Sequence, residues 1–267
     1  MMAAIRAFPT LLRIGVAETV AYRAEFLVWI LTTTLPLVML ALWTTVASEN
    51  GGQFAGYTSS QYVAYYLATL IVRNVTGSWV AWQISEEIRQ GTMSMRLLRP
   101  MHPFFSFAAS HIAAIPFRGV VALPIAVALL LSSGSSSLTT HPIQLAMLLP
   151  SIALAWIVTF AILFAIGALA FWITKSFAIF TLYFGLYNLL TGYLLPIKLM
   201  PAWITRIATY SPFPAMLSSP VRIMTEDLGT PDTLQIVAAQ AGWAVATIAL
   251  ALYVWKLGIK RFEAVGG

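Results

Sequence analysis

Six runs of apolar residues limit what this chain can fold into, because each is long enough to cross a bilayer as a helix. They cover about 25–46, 61–83, 105–131, 145–173, 177–195 and 233–255. A hydrocarbon core about 30 Å thick takes roughly 20 helical residues. The runs are continuous rather than alternating, which selects helices over a membrane barrel. Of the 267 residues, 60% are hydrophobic and only 9% are charged, with a mean hydropathy of +0.84. A soluble domain carries about 25% charged residues, so too few polar groups are present to cover a soluble globule. The expected fold class is an all-α integral membrane protein with six transmembrane helices, forming one domain over 1–267. The fourth run is expected to begin near Pro150, since proline suits a first helical turn. Lys175 leaves almost no loop before the fifth.

Lysine and arginine set the orientation. With both termini inside, ten of these residues fall in inner segments and three in outer ones. The outer three are Lys198, Arg206 and Arg222, and this asymmetry puts the termini in the cytoplasm. The net charge of +6 therefore records cytoplasmic loops and lipid contact, and does not suggest nucleic acid. The first 20 residues lack a small-residue cleavage site after a compact apolar core, so no cleaved leader is expected.

Three elements are not simple spans. In the N-terminal stretch 1–23, Ile5, Phe8, Leu12, Val16 and Val20 recur at near-helical spacing while Arg6, Arg13 and Glu18 project elsewhere. This predicts an amphipathic helix in the inner interface. The second is a charged island at 84–104, with Glu86, Glu87, Arg89, Arg96 and Arg99 close together. Ser85 is positioned to cap a helix starting at Glu86, Gly91-Thr92 loosens that helix, and Pro100 stops the helical run. Ile88, Met95 and Leu98 can form one apolar face for a partner's groove. The third is 196–232, which holds six prolines yet stays apolar between them. Two short helices dipping into the outer leaflet and returning satisfy both features.

Two charges lie within the runs, Arg73 and Arg118. Such groups usually face protein or water. They are expected to bond backbone carbonyls, Asn74 or lipid phosphate, with a path for an anionic or amphiphilic substrate as the other reading. Small residues recur at Ala161 and Ala165, and at Ala238, Gly242 and Ala246; both stripes allow close helix contact within the chain.

Enzyme chemistry finds little footing. There is no cysteine, no H-E-x-x-H and no G-x-S-x-G. His102, His111 and His141 lie too far apart along the predicted topology to converge. No metal site and no catalytic or cofactor-binding residue is expected. No pair of intramembrane carboxylates supports an ion-coupled carrier.

The island's Glu87-Ile88-Arg89-Gln90-Gly91-Thr92 and Leu97-Leu98-Arg99-Pro100, with Pro196…Met200-Pro201-Ala202-Trp203 and Ser211-Pro212-Phe213-Pro214, resemble the membrane subunit of an ABC-2 type exporter. The likeness covers nearly the whole chain and is greatest to six-span permeases. It implies an N-terminal interfacial helix and a cytoplasmic coupling helix that dock on a separate ABC ATP-binding subunit, a dimer that binds ATP and Mg. On this resemblance Glu86, Glu87, Ile88, Arg89, Gly91 and Arg96 form the docking surface. Pro201, Trp203, Pro212 and Phe213 shape an outer gate within a re-entrant hairpin. A second permease copy or a paralogous permease completes the path through the inner membrane of a bacterium. The chain itself carries no G-x-x-x-x-G-K-[ST]. Its aromatic-rich, weakly charged interior suits a hydrophobic or amphipathic cargo. A secondary carrier, or an accessory membrane subunit without an ATPase, is the alternative.

Overall fold

The computed structural model describes residues 35–173 and 177–262. The expected interfacial helix at 1–23, the start of the first run and Lys175 lie outside the described residues. The described chain is almost entirely helical. Helix α1 (Leu35–Glu49) leads through a two-residue hairpin, β1 (Gln53–Phe54) and β2 (Tyr57–Thr58), into α2 (Ser59–Thr76). The strands are antiparallel, with Gln53 opposite Thr58 and Phe54 opposite Tyr57. Thr58 then caps α2 in a reciprocal box with Gln61.

After α2 come α3 (Val80–Arg89), α4 (Met93–Leu97), α5 (Pro103–Ala113) and α6 (Ile115–Leu131). Helix α7 (Pro142–Ala168) continues as a 3₁₀ turn to Phe171, and α8 covers Phe177–Leu190. Three short helices follow, α9 (Ala202–Thr209), α10 (Phe213–Met216) and α11 (Ser218–Thr225), before α12 (Thr230–Gly258) closes the fold.

Length and composition qualify two helical stretches to cross a membrane, Pro142–Phe171 and Thr230–Arg261. Pro103–Val120 and Ala122–Leu131 make a third if they count as one span bent by 41°. Pro124 explains the bend, because it cannot donate to the carbonyl four residues back and its ring crowds that carbonyl. The expected 61–83 helix is broken: α2 ends at Thr76 and α3 starts at Val80. The expected 177–195 helix ends at Leu190, a 14-residue helix about 21 Å long. The fourth run starts at Pro142 rather than near Pro150, which lies inside α7. Pro142 takes the first-turn position where a missing N–H costs nothing.

Helix α7 runs through the centre. It packs along α12 and against α3, and a chain of rings joins α5, α7 and α12 at one end. Phe104 lies 5.0 Å from Phe164, and Phe164 and Phe171 lie 5.1 and 5.3 Å from Trp255, centroid to centroid. Ala161 and Ala165 are buried in this seam, as their small size allows. Ala238, Gly242 and Ala246 are not: all three are exposed, and a Cβ at Gly242 would meet nothing within 4 Å. The inward face of α12 is instead Thr233, Gln240, Ala244, Thr247 and Ala251. Both faces of this helix are apolar enough that spacing alone does not tell them apart.

Candidate functional site

The charged island and the break that precedes it are held by hydrogen bonds at successive heights along α5 and α6. Helix α3 buries Val80, Ala81 and Ile84 and turns Arg89 outward. Ser85 does not cap a helix at Glu86; its Oγ donates to the Ala81 carbonyl at 2.9 Å, inside a helix already running. The start lies instead at the 77–79 break, where the Val80 amide donates to Ser78 Oγ at 3.3 Å. Gly91 ends the run in the left-handed region, φ +74°, which a residue with a Cβ enters only at a cost.

The turn at Gly91 brings α4 back beside α3. Arg96 grips Glu87 with both arms, Nε to Oε2 at 2.7 Å and Nη2 to Oε1 at 2.5 Å. Its third nitrogen, Nη1, donates to Ser106 Oγ on α5 at 2.8 Å. The guanidinium lies 3.9 Å from the Phe107 ring centroid. The Glu87 and Arg96 side chains are only 23% and 20% exposed. Further along, His111 shares hydrogen bonds with Gln83 Oε1 at 2.9 Å and Ser78 Oγ at 3.3 Å. Arg118, wholly buried, donates to the Gly77 carbonyl and stacks on Trp79 at 4.6 Å. From Ser106 to Arg118 is about 18 Å of helix. The island and the break above it are therefore braced along one rod.

The residues expected to dock a partner thus divide. Glu87 and Arg96 face each other, Glu86 pairs with Arg89 and Gln90, and Ile88 is half-buried against the core. Arg89 and Arg99 are exposed, and Met95 and Leu98 stand out at 71% and 86% exposure. Arg118 bonds a backbone carbonyl, and Arg73 lies 4.5 Å from the Tyr193 ring and 5.2 Å from that of Tyr187.

At the opposite end the segment 196–232 forms three short helices and a 3₁₀ turn, rather than two helices. Its six prolines set the starts: Pro196, Pro201 and Pro212 precede the 3₁₀ turn, α9 and α10, and Pro214, Pro220 and Pro231 fall in the first turns of α10, α11 and α12. Trp203 is 63% exposed on α9, while Phe213 packs toward Tyr183, 6.4 Å between ring centroids.

Polar side chains from neighbouring helices fix this segment. Gln144, fully buried, donates to the carbonyls of Ile223 at 2.9 Å and Glu226 at 2.8 Å, and accepts from Thr139 at 2.7 Å. Gln240 on α12 accepts from Ser151 at 2.6 Å and donates to the Ala215 carbonyl at 2.9 Å. Glu226 accepts from Lys198 at 2.7 Å and Arg222 at 3.0 Å. A cavity of ≈620 Å³ lies between the segment and α12, with Glu226, Arg222 and Gln240 in its wall. Gln144 and Gln240 were not anticipated as site residues. The signal was partial: Gln144 stands at the edge of the fourth apolar run, and Gln240 is one of two amides, with Gln235, in the last. Gln144→Leu removes the donor of the buried Ile223 carbonyl, at about 1–3 kcal/mol, and of the half-buried Glu226 carbonyl, at less. The variant is expected to melt several degrees lower in detergent; an unchanged melting temperature would remove the anchor role.

The three histidines stand apart. His102 caps α5, His111 is buried in it, and His141 precedes α7 at the other end. Among the described residues no three His, Asp or Glu side chains gather as a metal site.

The family model described as ABC-2 family transporter protein matches residues 27–266, nearly the whole chain. No curated protein matches.

Proposed function

The chain belongs to the ABC-2 family of transporter membrane proteins, and from that premise we propose that it is the permease subunit of an ATP-driven exporter. The match over 27–266 carries the reading. Membership implies an ABC ATP-binding subunit as partner. On this reading six helical passes span the cytoplasmic membrane of a bacterium with both termini inside, and the cargo is hydrophobic or amphipathic. ATP, with its Mg, is bound and hydrolysed by a dimer of the partner subunit. A second copy of this chain, or a paralogue, faces it across the path.

The island docks the ATPase within 84–104, through the surface predicted at Glu86, Glu87, Ile88, Arg89, Gly91 and Arg96. Exposure favours Arg89, Met95, Leu98 and Arg99 as the touching groups. The Glu87–Arg96 pair then gives the surface its shape. Closure of the ATPase dimer pushes the island, and the bonds at Ser106, His111 and Arg118 pass that push to α5 and α6. At the outer end the 196–232 hairpin forms part of the exit gate, with Pro201, Trp203, Pro212 and Phe213 defining its edges.

Purification of the tagged chain in mild detergent tests the reading directly. A stoichiometric ATP-binding protein is expected in the same peak, together with vanadate-sensitive hydrolysis. A chain that elutes alone under several detergents, with no ATPase activity, would refute it. The gate carries its own test: Trp203→Ala is expected to leave the fold intact, because Trp203 is exposed, and to change transport or basal leak several-fold. If both are unchanged, the hairpin is not the gate.

A further inference from the structure

A second cleft lies beside the break at residues 77–79, between α2, α7 and α8. It encloses ≈580 Å³, within the range of about 300–1,000 Å³ typical of small-molecule sites. Its walls are largely aromatic, with Trp79, Trp82, Phe180 and Phe184 among them. Hydroxyls and an amide from Thr76, Thr159 and Asn188 interrupt the apolar surface. Among the described residues lining it, Arg73 is the one charged group.

Arg73 is held as a binding group would be. Its guanidinium sits against two rings, Tyr193 at 4.5 Å and Tyr187 at 5.2 Å, and is hydrogen-bonded to the Tyr187 side chain, while its buried Nε has no hydrogen-bond partner. A cation inside an apolar bundle is costly, and aromatic faces recover only part of that cost. The four salt bridges among the described residues do not include it. None of the described residues that line the cleft carries a negative charge, and its walls supply a surface for an apolar body.

We propose that this cleft binds an amphipathic anion, with the carboxylate or phosphate head at Arg73 and the apolar portion along Trp79, Trp82 and Phe184. The identification of that anion with the cargo rests on the permease reading; the binding itself does not. Arg73 then selects the class of molecule by its charge, while the aromatic walls tolerate variety in its body.

Photolabelling of the full chain in phosphatidylcholine nanodiscs tests this. The probe is an alkyl phosphate carrying a diazirine on its chain. Labels are expected in the 76–82 and 178–193 peptides, and excess dodecyl phosphate should displace them. Dodecyltrimethylammonium and inorganic phosphate should not, because each lacks one half of the required chemistry. Arg73→Gln should lower labelling about tenfold, the loss of roughly 1.4 kcal/mol of binding. Asn188→Asp keeps the side-chain volume and sets a carboxylate in the cleft, so it should lower labelling even if the Arg73 variant fails to fold. Equal displacement by the ammonium compound, or labelling unchanged in a folded variant, would overturn the site. Displacement by phosphatidylglycerol at bilayer concentrations would keep the anion site and overturn its assignment to cargo. None of these readouts needs the ATPase, so loss of the exporter reading and loss of this site are separate results.

Discussion

Reversing one charge, Glu87→Arg, is expected to uncouple ATP hydrolysis from transport while the chain still inserts in the membrane. The substitution places two guanidinium groups where a two-armed ion pair now holds α3 to α4. It also releases the Arg96 arm that reaches Ser106. The pair is neither surface-exposed nor sealed from water, at 23% and 20% exposure. Exposed pairs contribute about 0–1 kcal/mol and breaking buried ones costs about 3–5, so a local loss of about 1–3 kcal/mol follows. That is enough to loosen the island without unfolding the helices around it. Faster amide exchange over 85–99, with the ratio of transport to hydrolysis reduced, is the expected signature. The charge-swapped double variant Glu87→Arg with Arg96→Glu discriminates between two origins. Rescue means that the two residues act on each other. No rescue means that Glu87 meets the ATPase itself, and normal transport in the single variant would end its role in coupling.

A larger stability effect is expected from Gly192→Ala. The residue turns the chain out of α8 with φ +84°, where an L side chain costs about 1–2 kcal/mol. A Cβ there would stand 2.6 Å from Tyr65 Oη, which now donates to the Gly192 carbonyl at 2.6 Å. Strain and displaced hydrogen bond together amount to about 2–4 kcal/mol. Tyr65→Phe removes the hydroxyl and hence the clash, leaving only the dihedral strain. The cost of Gly192→Ala should therefore be smaller in the Tyr65→Phe background, by about 1 kcal/mol. Strict additivity of the two would show that they do not meet.

Much of this was legible in the chain, though unevenly. The apolar runs located the long helices α7 and α12, because nothing in their interiors competes with the helix except Pro150 in α7. They overran α2, because Gly77-Ser78-Trp79 are apolar or small and look harmless in a hydropathy window. The break exists because the Gly77 carbonyl has a donor elsewhere, Arg118, forty-one residues on. No local pattern carries that information. The island was recognisable from its charges, yet its internal pairing was not, since any of its three arginines could reach either glutamate. The exposed stripe on α12 failed for another reason: in a membrane the outward face is as apolar as the inward one, so small residues do not reveal which way they point.

The polar partners of α2 have a consequence for how the protein is made. The helix carries Arg73, Asn74 and several tyrosines, and it is the least suited of the long helices to enter lipid alone. Tyr65 and Tyr66 bond the carbonyls of Gly192 and Leu194, Arg73 stacks on Tyr187 and Tyr193, and Gly77 waits for Arg118. Every one of these partners is synthesised later than α2. During translation the helix therefore remains unfinished until the ribosome has passed residue 194, and its final seat in the bilayer is set by residues made after it. Assembly of this protein is accordingly a late event, shared by distant parts of the chain, rather than the sequential threading of finished helices.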